Sequence, residues 1–206
     1  MSIYDEQYYI IKRDNSYEEL SVTPTKETTK RKFKFKKLII GEKATVFSTK
    51  TNDLNFALGE PEILFSAPNF IVSEKLKNEI KNGLFGSQFY PAIITAKNGE
   101  QRDNFWLLNT FSKLDCWHRE RSIIDDPDDF LYIDEGIEIF PTVSKYSLDE
   151  NILDNIDENQ RLIFKIAKTS TQPIFVHQKV VDIFNKHKIK GVKFYKISEY
   201  NFGDEF

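Results

Sequence analysis

Thiols are nearly missing from this sequence of 206 residues, in which Cys116 is the single cysteine. One thiol can form neither an internal disulfide nor a thiolate metal cage. The chain therefore reads as a soluble protein of a reducing compartment, most simply the cytoplasm. Also missing is any run of about 20 apolar residues, which excludes a transmembrane helix. The segment from Met1 to Gln7 is acidic and lacks the basic-then-apolar order of a signal peptide. Neither a phosphate-cradling Gly-rich loop nor a Gly-x-Ser-x-Gly elbow occurs. Histidine is sparse, with only His118, His177 and His187. A zinc site wants ligands close together or one helical turn apart. His177 and His187 stand ten apart across one expected helix, so they point in different directions.

Apolar material is plentiful by contrast. Hydrophobic residues make up 40% and aromatics 14%, with 18 Phe. A chain of this length can bury roughly 70% of its unfolded surface, as one large domain or two small lobes. The last third carries the clearest pattern. Leu162, Ile163, Phe164 and Ile166 read as a strand, and Pro173 as a turn before Ile174, Phe175 and Val176. Val180, Val181 and Phe184 then fall at helical spacing, and Val192, Phe194 and Ile197 suit another strand after Gly191. Earlier, Tyr8 to Lys12 reads as a first strand and Asn15 to Arg31 as a long polar loop. Lys32 to Ile40 reads as a strand, with Phe33 and Phe35 on its buried face and lysines between them. Thr45 to Ser48 suits a short strand, and Leu58 to Pro68 an irregular or extended stretch. Ser73 is an expected N-cap, with Leu76 and Ile80 on the apolar face of its helix and Gly83 beyond the end. Phe89 to Ala96 and Phe105 to Leu108 flank Asn98-Gly99, which predicts a hairpin with a type I′ turn.

Ile71-Val72-Ser73 before Leu76 and Ile80 echoes Phe175-Val176-His177 before Val180 and Phe184. The echo predicts two similar strand-to-helix units, although any extended-to-helix junction has this look. The expected fold is α+β, with a mixed or antiparallel sheet and a few short helices. It would be one domain, 1–206, of two loosely defined lobes, 1–58 and 59–206.

Net charge is −3, unevenly spread. Residues 26–37 hold seven basic side chains against one acidic, a net of +6. Residues 125–158 hold twelve carboxylates against Lys145, a net of −11, enough to steer a basic partner. Solvated loops and helix caps explain the same charges more plainly. The run Asp125-Asp126-Pro127-Asp128-Asp129 fails as an EF-hand, since a start at Asp126 puts Leu131 where Gly is needed. Asp115-Cys116-Trp117-His118-Arg119-Glu120-Arg121-Ser122 gathers a nucleophile, a base, carboxylates and cations in one stretch. Adjacency supplies no nucleophile–base geometry, so a packed Trp117 with paired arginines is the simpler expectation.

The order of segments is informative in itself. Asn69-Phe70-Ile71-Val72-Ser73-Glu74-Lys75-Leu76 precedes Phe89-Tyr90-Pro91, then Leu114-Asp115-Cys116-Trp117 with Glu120-Arg121-Ser122. Leu162-Ile163-Phe164-Lys165, Ile174-Phe175-Val176 and Lys190-Gly191-Val192-Lys193-Phe194 follow. Over residues 60–197 this resembles the bacterial immunity proteins of polymorphic toxin systems, long catalogued as a domain of unknown function. The chain departs from that pattern at His177, where a small capping residue is usual, and at Trp117-His118, where an acidic position is usual. The resemblance implies a non-enzymatic antidote that binds a cognate secreted toxin inside the producing cell or its kin. It implies no catalytic residues and no cofactor or metal, and no direct nucleic-acid or membrane binding is expected. Self-association is left open. A basic, nuclease-like toxin would suit the acidic stretch. The candidate partner-binding residues are Asp125, Asp126, Asp128, Asp129, Trp117 and Arg119. Two rival readings are a non-inhibitory adaptor or structural component of a secretion apparatus, and a hydrolase using His118 or the Asp125–Asp129 carboxylates.

Overall fold

A computed structural model of the chain describes residues 2–125, 132–134 and 137–204. Its strands in chain order are β1 (Tyr8–Arg13), β2 (Val22–Pro24), β3 (Thr45–Thr49), β4 (Ile63–Ser66), β5 (Asn69–Ser73), β6 (Ser87–Thr95) and β7 (Gln101–Thr110). These are followed by β8 (Ile123–Ile124), β9 (Tyr132–Asp134), β10 (Ile137–Ile139), β11 (Val143–Lys145), β12 (Ile163–Lys165), β13 (Ile174–His177) and β14 (Val192–Lys196). The α-helices are short: α1 (Lys26–Lys30), α2 (Glu74–Ile80), α3 (Glu150–Leu153) and α4 (Gln178–Lys186). No helix among the described residues is long and apolar enough to cross a membrane.

Two sheets dominate, as an α+β fold requires. One is mixed, in the order β2-β3-β6-β7-β5-β4, with β3 parallel to β6 and the other pairs antiparallel. A bridge between Ser21 and Phe65 joins its two edges, so this sheet is nearly closed. The other is antiparallel, in the order β12-β13-β1-β14. Strands from the first 58 residues enter both sheets, so the two cores do not divide the chain at that point.

The four-stranded sheet separates the cores by simple alternation, since successive side chains of a strand point to opposite faces. Ile11, Ile163, Ile174 and Val176 face a first core that also holds the six-stranded sheet. Tyr8, Ile10, Phe164 and Phe175 face a second, with Leu114, Trp117, Leu148 and Leu153. Val180, Val181 and Phe184 of α4 all enter the first core, as their spacing predicts. The chain leaves α4 through Gly191 at φ +80°, where a Cβ would lie 2.0 Å from Leu20 Cδ1. That position needs glycine for its backbone angle and for its space.

The internal echo is structural. Ser73 caps α2 by accepting from the Leu76 amide, and His177 caps α4 by accepting from the Lys179 amide through Nδ1. In the two hairpins Ile63 opposes Val72 and Ile163 opposes Val176. The order β4-β5-β7-β6 in one sheet matches β12-β13-β1-β14 in the other, with every pair antiparallel. Tyr90 opposes Leu107 as Tyr195 opposes Ile10. The N-terminal strand β1 thus stands where β7 stands in the contiguous unit.

Three expectations need correction. Residues 15–31 are not one loop: they contain a 3-10 turn at Glu18–Leu20, β2 and α1, whose N-cap Thr25 accepts from the Thr28 amide. The stretch from Lys32 to Ile40 is not a strand. Lys32 takes φ 54°, and Phe33 and Phe35, which would share a strand face, are 1% and 70% exposed. The Asn98-Gly99 turn is not type I′, which requires positive φ at both central residues. Gly99 alone has positive φ there, and Ala96 exchanges bonds with Glu100 and Gly99 across a three-residue loop.

Buried polar groups tie the N-terminus to the rest. Arg161, 6% exposed, donates to the carbonyls of Leu153 and Ile156 at 3.1 and 2.8 Å. It also donates to the hydroxyls of Tyr8 and Tyr4 at 2.6 and 3.3 Å. Burial pushes the Tyr8 phenol up to about 12, so it keeps its proton and donates to the Arg161 carbonyl at 3.0 Å. Asp5 accepts from the Ser2 and Leu148 amides and the Ser147 hydroxyl at 2.8, 2.7 and 3.0 Å.

Phe184→Ala should cost about 3–5 kcal/mol, because it empties a site in a closed core. Equilibrium denaturation measures this. A midpoint equal to wild type would mean that Phe184 does not pack as described.

Candidate partner-binding surfaces

Cys116 is fully buried, and burial pushes its thiol well above the ordinary range, with Asp115 and Asp149 pushing the same way. Such a thiol stays protonated and is a poor nucleophile. His118 accepts from the Arg121 amide through Nδ1 at 3.3 Å. Its own amide bonds the Ser147 carbonyl at 2.8 Å, so both bonds run to main-chain groups. Among the described residues no group of three His, Cys, Asp or Glu is placed to hold a metal ion.

Trp117 is 2% exposed and donates from Nε1 to the Ala167 carbonyl at 3.2 Å. Its indole is packed in the second core, so it presents no free face to a partner. Arg119 covers it, with the guanidinium carbon 3.8 Å from the ring centroid, and pairs with Asp115 at 2.5 Å. These residues, with His118, Glu120, Asp149 and Ile152, line a concavity of about 420 Å³. Asp125 is exposed outside it, and its amide bonds the Thr142 carbonyl at 3.0 Å. Asp126, Asp128 and Asp129 lie outside the described residues. Other carboxylates of the acidic stretch have work inside the molecule. Asp149 caps α3, Asp154 accepts from the Tyr4 hydroxyl at 2.5 Å, and Glu158 pairs with Lys179. Glu150 pairs with Arg121, whose hydrogen bond holds its carboxyl down at about 2.

A second surface escaped the sequence reading. The segment from Arg31 to Lys43 is irregular, yet its backbone is clamped from below. Asn109, fully buried on β7, donates to the carbonyls of Phe33 and Lys36 at 2.6 and 3.0 Å and accepts from the Leu38 amide at 3.0 Å. The Tyr90 hydroxyl lies 3.1 Å from the carbonyls of Ile39 and Lys43 and accepts from Arg31 at 2.8 Å. Asn109 thus uses the polar groups that a strand would have offered to a neighbour. The result is a fixed loop that holds Phe35, Ile39 and Ile40 out at 70, 61 and 65% exposure amid lysines. Beside it, Lys165 sits in β12 with 3% exposure. A lysine inside an otherwise apolar run was the one sequence signal for this place.

Asn109→Ala should leave several buried backbone groups without partners and cost about 2–3 kcal/mol. The Leu38 amide should then exchange with solvent much faster; unchanged exchange would mean that the clamp does not hold the loop. A second expectation concerns acid. The folded Glu150 carboxyl sits at about 2 against an ordinary 4.5, so its contribution is complete above the ordinary value and disappears as pH falls toward 2. Arg121→Gln should remove that part of the acid dependence, measured as stability against pH; the same slope in both proteins would contradict the pairing.

Compared with known families, residues 8–199 match the model of an immunity protein family, Imm11. No curated protein matches the chain.

Proposed function

The chain belongs to the immunity protein family Imm11, and on that premise we propose that it neutralises a cognate secreted toxin by direct protein–protein contact. The match over residues 8–199 carries this reading, since it spans both sheets and both cores. The protein acts inside the cell that makes the toxin, or its kin, as one immunity-type domain over 1–206. It works by occupying a toxin surface and turns over no substrate.

The acidic stretch supports a basic toxin surface, of the kind a nuclease presents to nucleic acid. The excess of carboxylates over residues 125–158 exceeds what Asp149, Glu150, Asp154 and Glu158 use internally. The contact is assigned to Asp125, Asp126, Asp128 and Asp129, with Arg119 at the neighbouring concavity and Trp117 as the platform beneath it. Exposed charges of this kind act mainly on association rate and its salt dependence.

Co-expression with the toxin encoded beside it should restore growth, and the two proteins should co-purify. Growth arrest despite normal expression would contradict the reading. Replacing all four aspartates by Asn should slow association and flatten its dependence on ionic strength, with the fold unchanged by circular dichroism. Wild-type rates at low and high salt would show the stretch to be a solvated surface.

A further inference from the structure

Lys165 is an anomaly of charge. It is 3% exposed, and among the described residues no oxygen receives a hydrogen bond from its ammonium and no carboxylate pairs with it. A buried ammonium without a counter-ion is costly. Its charged neighbours make the cost worse, for they are Lys113 and Lys34. The Leu114 amide bonds the Lys165 carbonyl at 2.9 Å and Leu114 bridges Ile166, so Lys113 stands alongside Lys165. Lys34 has a carbonyl partner, Ala67 at 3.0 Å, but no carboxylate among the described residues. Lys113 lies 5.9 Å from the ring centroid of Phe35 and makes no ion pair among the described residues. The Lys165 ammonium is not among the polar atoms sealed from solvent without a partner, so its small remaining exposure includes the reactive end.

Lys165, its bridge neighbour Lys113 and Lys34 thus lie by the clamped loop that displays Phe35, and among the described residues no carboxylate pairs with any of them. We propose that Lys165, Lys113 and Lys34 form a receptor for a single carboxylate, delivered by an acidic side chain of the toxin while Phe35 packs on apolar residues beside it. This rests on the toxin-binding reading above and adds a contact of the opposite sign to the acidic stretch. Charge complementarity selects the occupant: the loop and its approaches carry +6 over residues 26–37, and no carboxylate among the described residues pairs with the buried amine. A carboxylate seated there would relieve the repulsion among the three lysines and pair a charge already removed from water. Two contacts of opposite sign on one partner would also fix its orientation.

Burial holds the Lys165 ammonium down at about 8, with Lys113 and Lys34 acting in the same direction. Hence its titration reports occupancy of the site. The Cε–Hε resonance of Lys165, assigned by its loss in Lys165→Met, is followed against pH in the whole chain, in chloride and in acetate of equal ionic strength. The midpoint should rise by about half a unit or more in acetate, because a nearby opposite charge favours the charged form. The rise should shrink when Lys34 and Lys113 are both Ala. An equal midpoint in both salts would overturn the site, whatever the toxin proves to be.

The toxin from the neighbouring gene gives the second arm. Lys165→Met places an apolar chain of similar length in an apolar strand, so the variant should melt no lower than wild type. It should bind the toxin at least about tenfold more weakly, since it removes a desolvated charge from the interface. Equal affinity would overturn the docking role. A toxin that fails to bind wild type would count against the neutralisation reading, while the acetate titration still decides the site.

Discussion

One buried cation holds the molecule in its connected form. Among the described residues the Arg161 guanidinium pairs with no carboxylate, and its charge is spread over two carbonyls, two phenols and the face of the Tyr4 ring. Those oxygens come from three places: the N-terminal turn, β1 and the stretch from Leu153 of α3 to Ile156. Removing one partner of a buried charge is far more damaging than removing an exposed contact. Arg161 therefore makes the docking of the N-terminus a condition for the second core. Asp5 repeats the logic with the opposite sign, closing the same turn onto Ser147 and Leu148.

These satisfied charges give Lys165 its meaning. Arg161 and Asp5 show what the fold does with a buried charge that serves architecture: it surrounds the group with donors or acceptors. Lys165 has none among the described residues and two like charges nearby. Its surface neighbours differ as well. The Trp117–Arg119 face is compact and internally paired, while the Arg31–Lys43 loop, its main chain bonded by Asn109 and Tyr90 and its Phe33 and Leu38 buried, holds Phe35, Ile39 and Ile40 away from the core. A loop held by its backbone keeps its side chains free to meet a partner without the cost of ordering the chain first.

Much of the fold was legible where neighbours in sequence decide the outcome. Ser73 and His177 cap their helices with their own side chains, and the face of α4 follows from three apolar residues at helical spacing. The resemblance to immunity proteins, seen over 60–197, was legible from the spacing of short segments; the match reaches 8–199. What could not be read depends on distant groups. Lys32 to Ile40 has the alternation of a strand, but Asn109, far along the chain, takes its hydrogen bonds. The turn at Gly99 is set by pairing further along β6 and β7. For the candidate surfaces, residue types marked Arg119 as a cation at the surface but could not show that Trp117 lies beneath it. The place of Lys165 is not legible, because a lysine in an apolar run reveals neither its burial nor its company.

The place of β1 in the four-stranded sheet bears on the order of events during synthesis. The unit built from β4 to β7 has all its strands in one continuous stretch, so it can close as soon as that stretch has left the ribosome. Its counterpart holds one strand from residues 8–13 and three from residues 163–196, some 150 positions later. Until His177 has emerged, β1 lacks both neighbours, and until Lys196 has emerged it lacks one, so its apolar residues wait without the sheet that will cover them. Long-range pairing of this kind is slow because a large loop must be closed before any contact rewards it. For a member of an immunity protein family, the interval between translation and a complete fold is set in part by the return of β13 and β14 to β1.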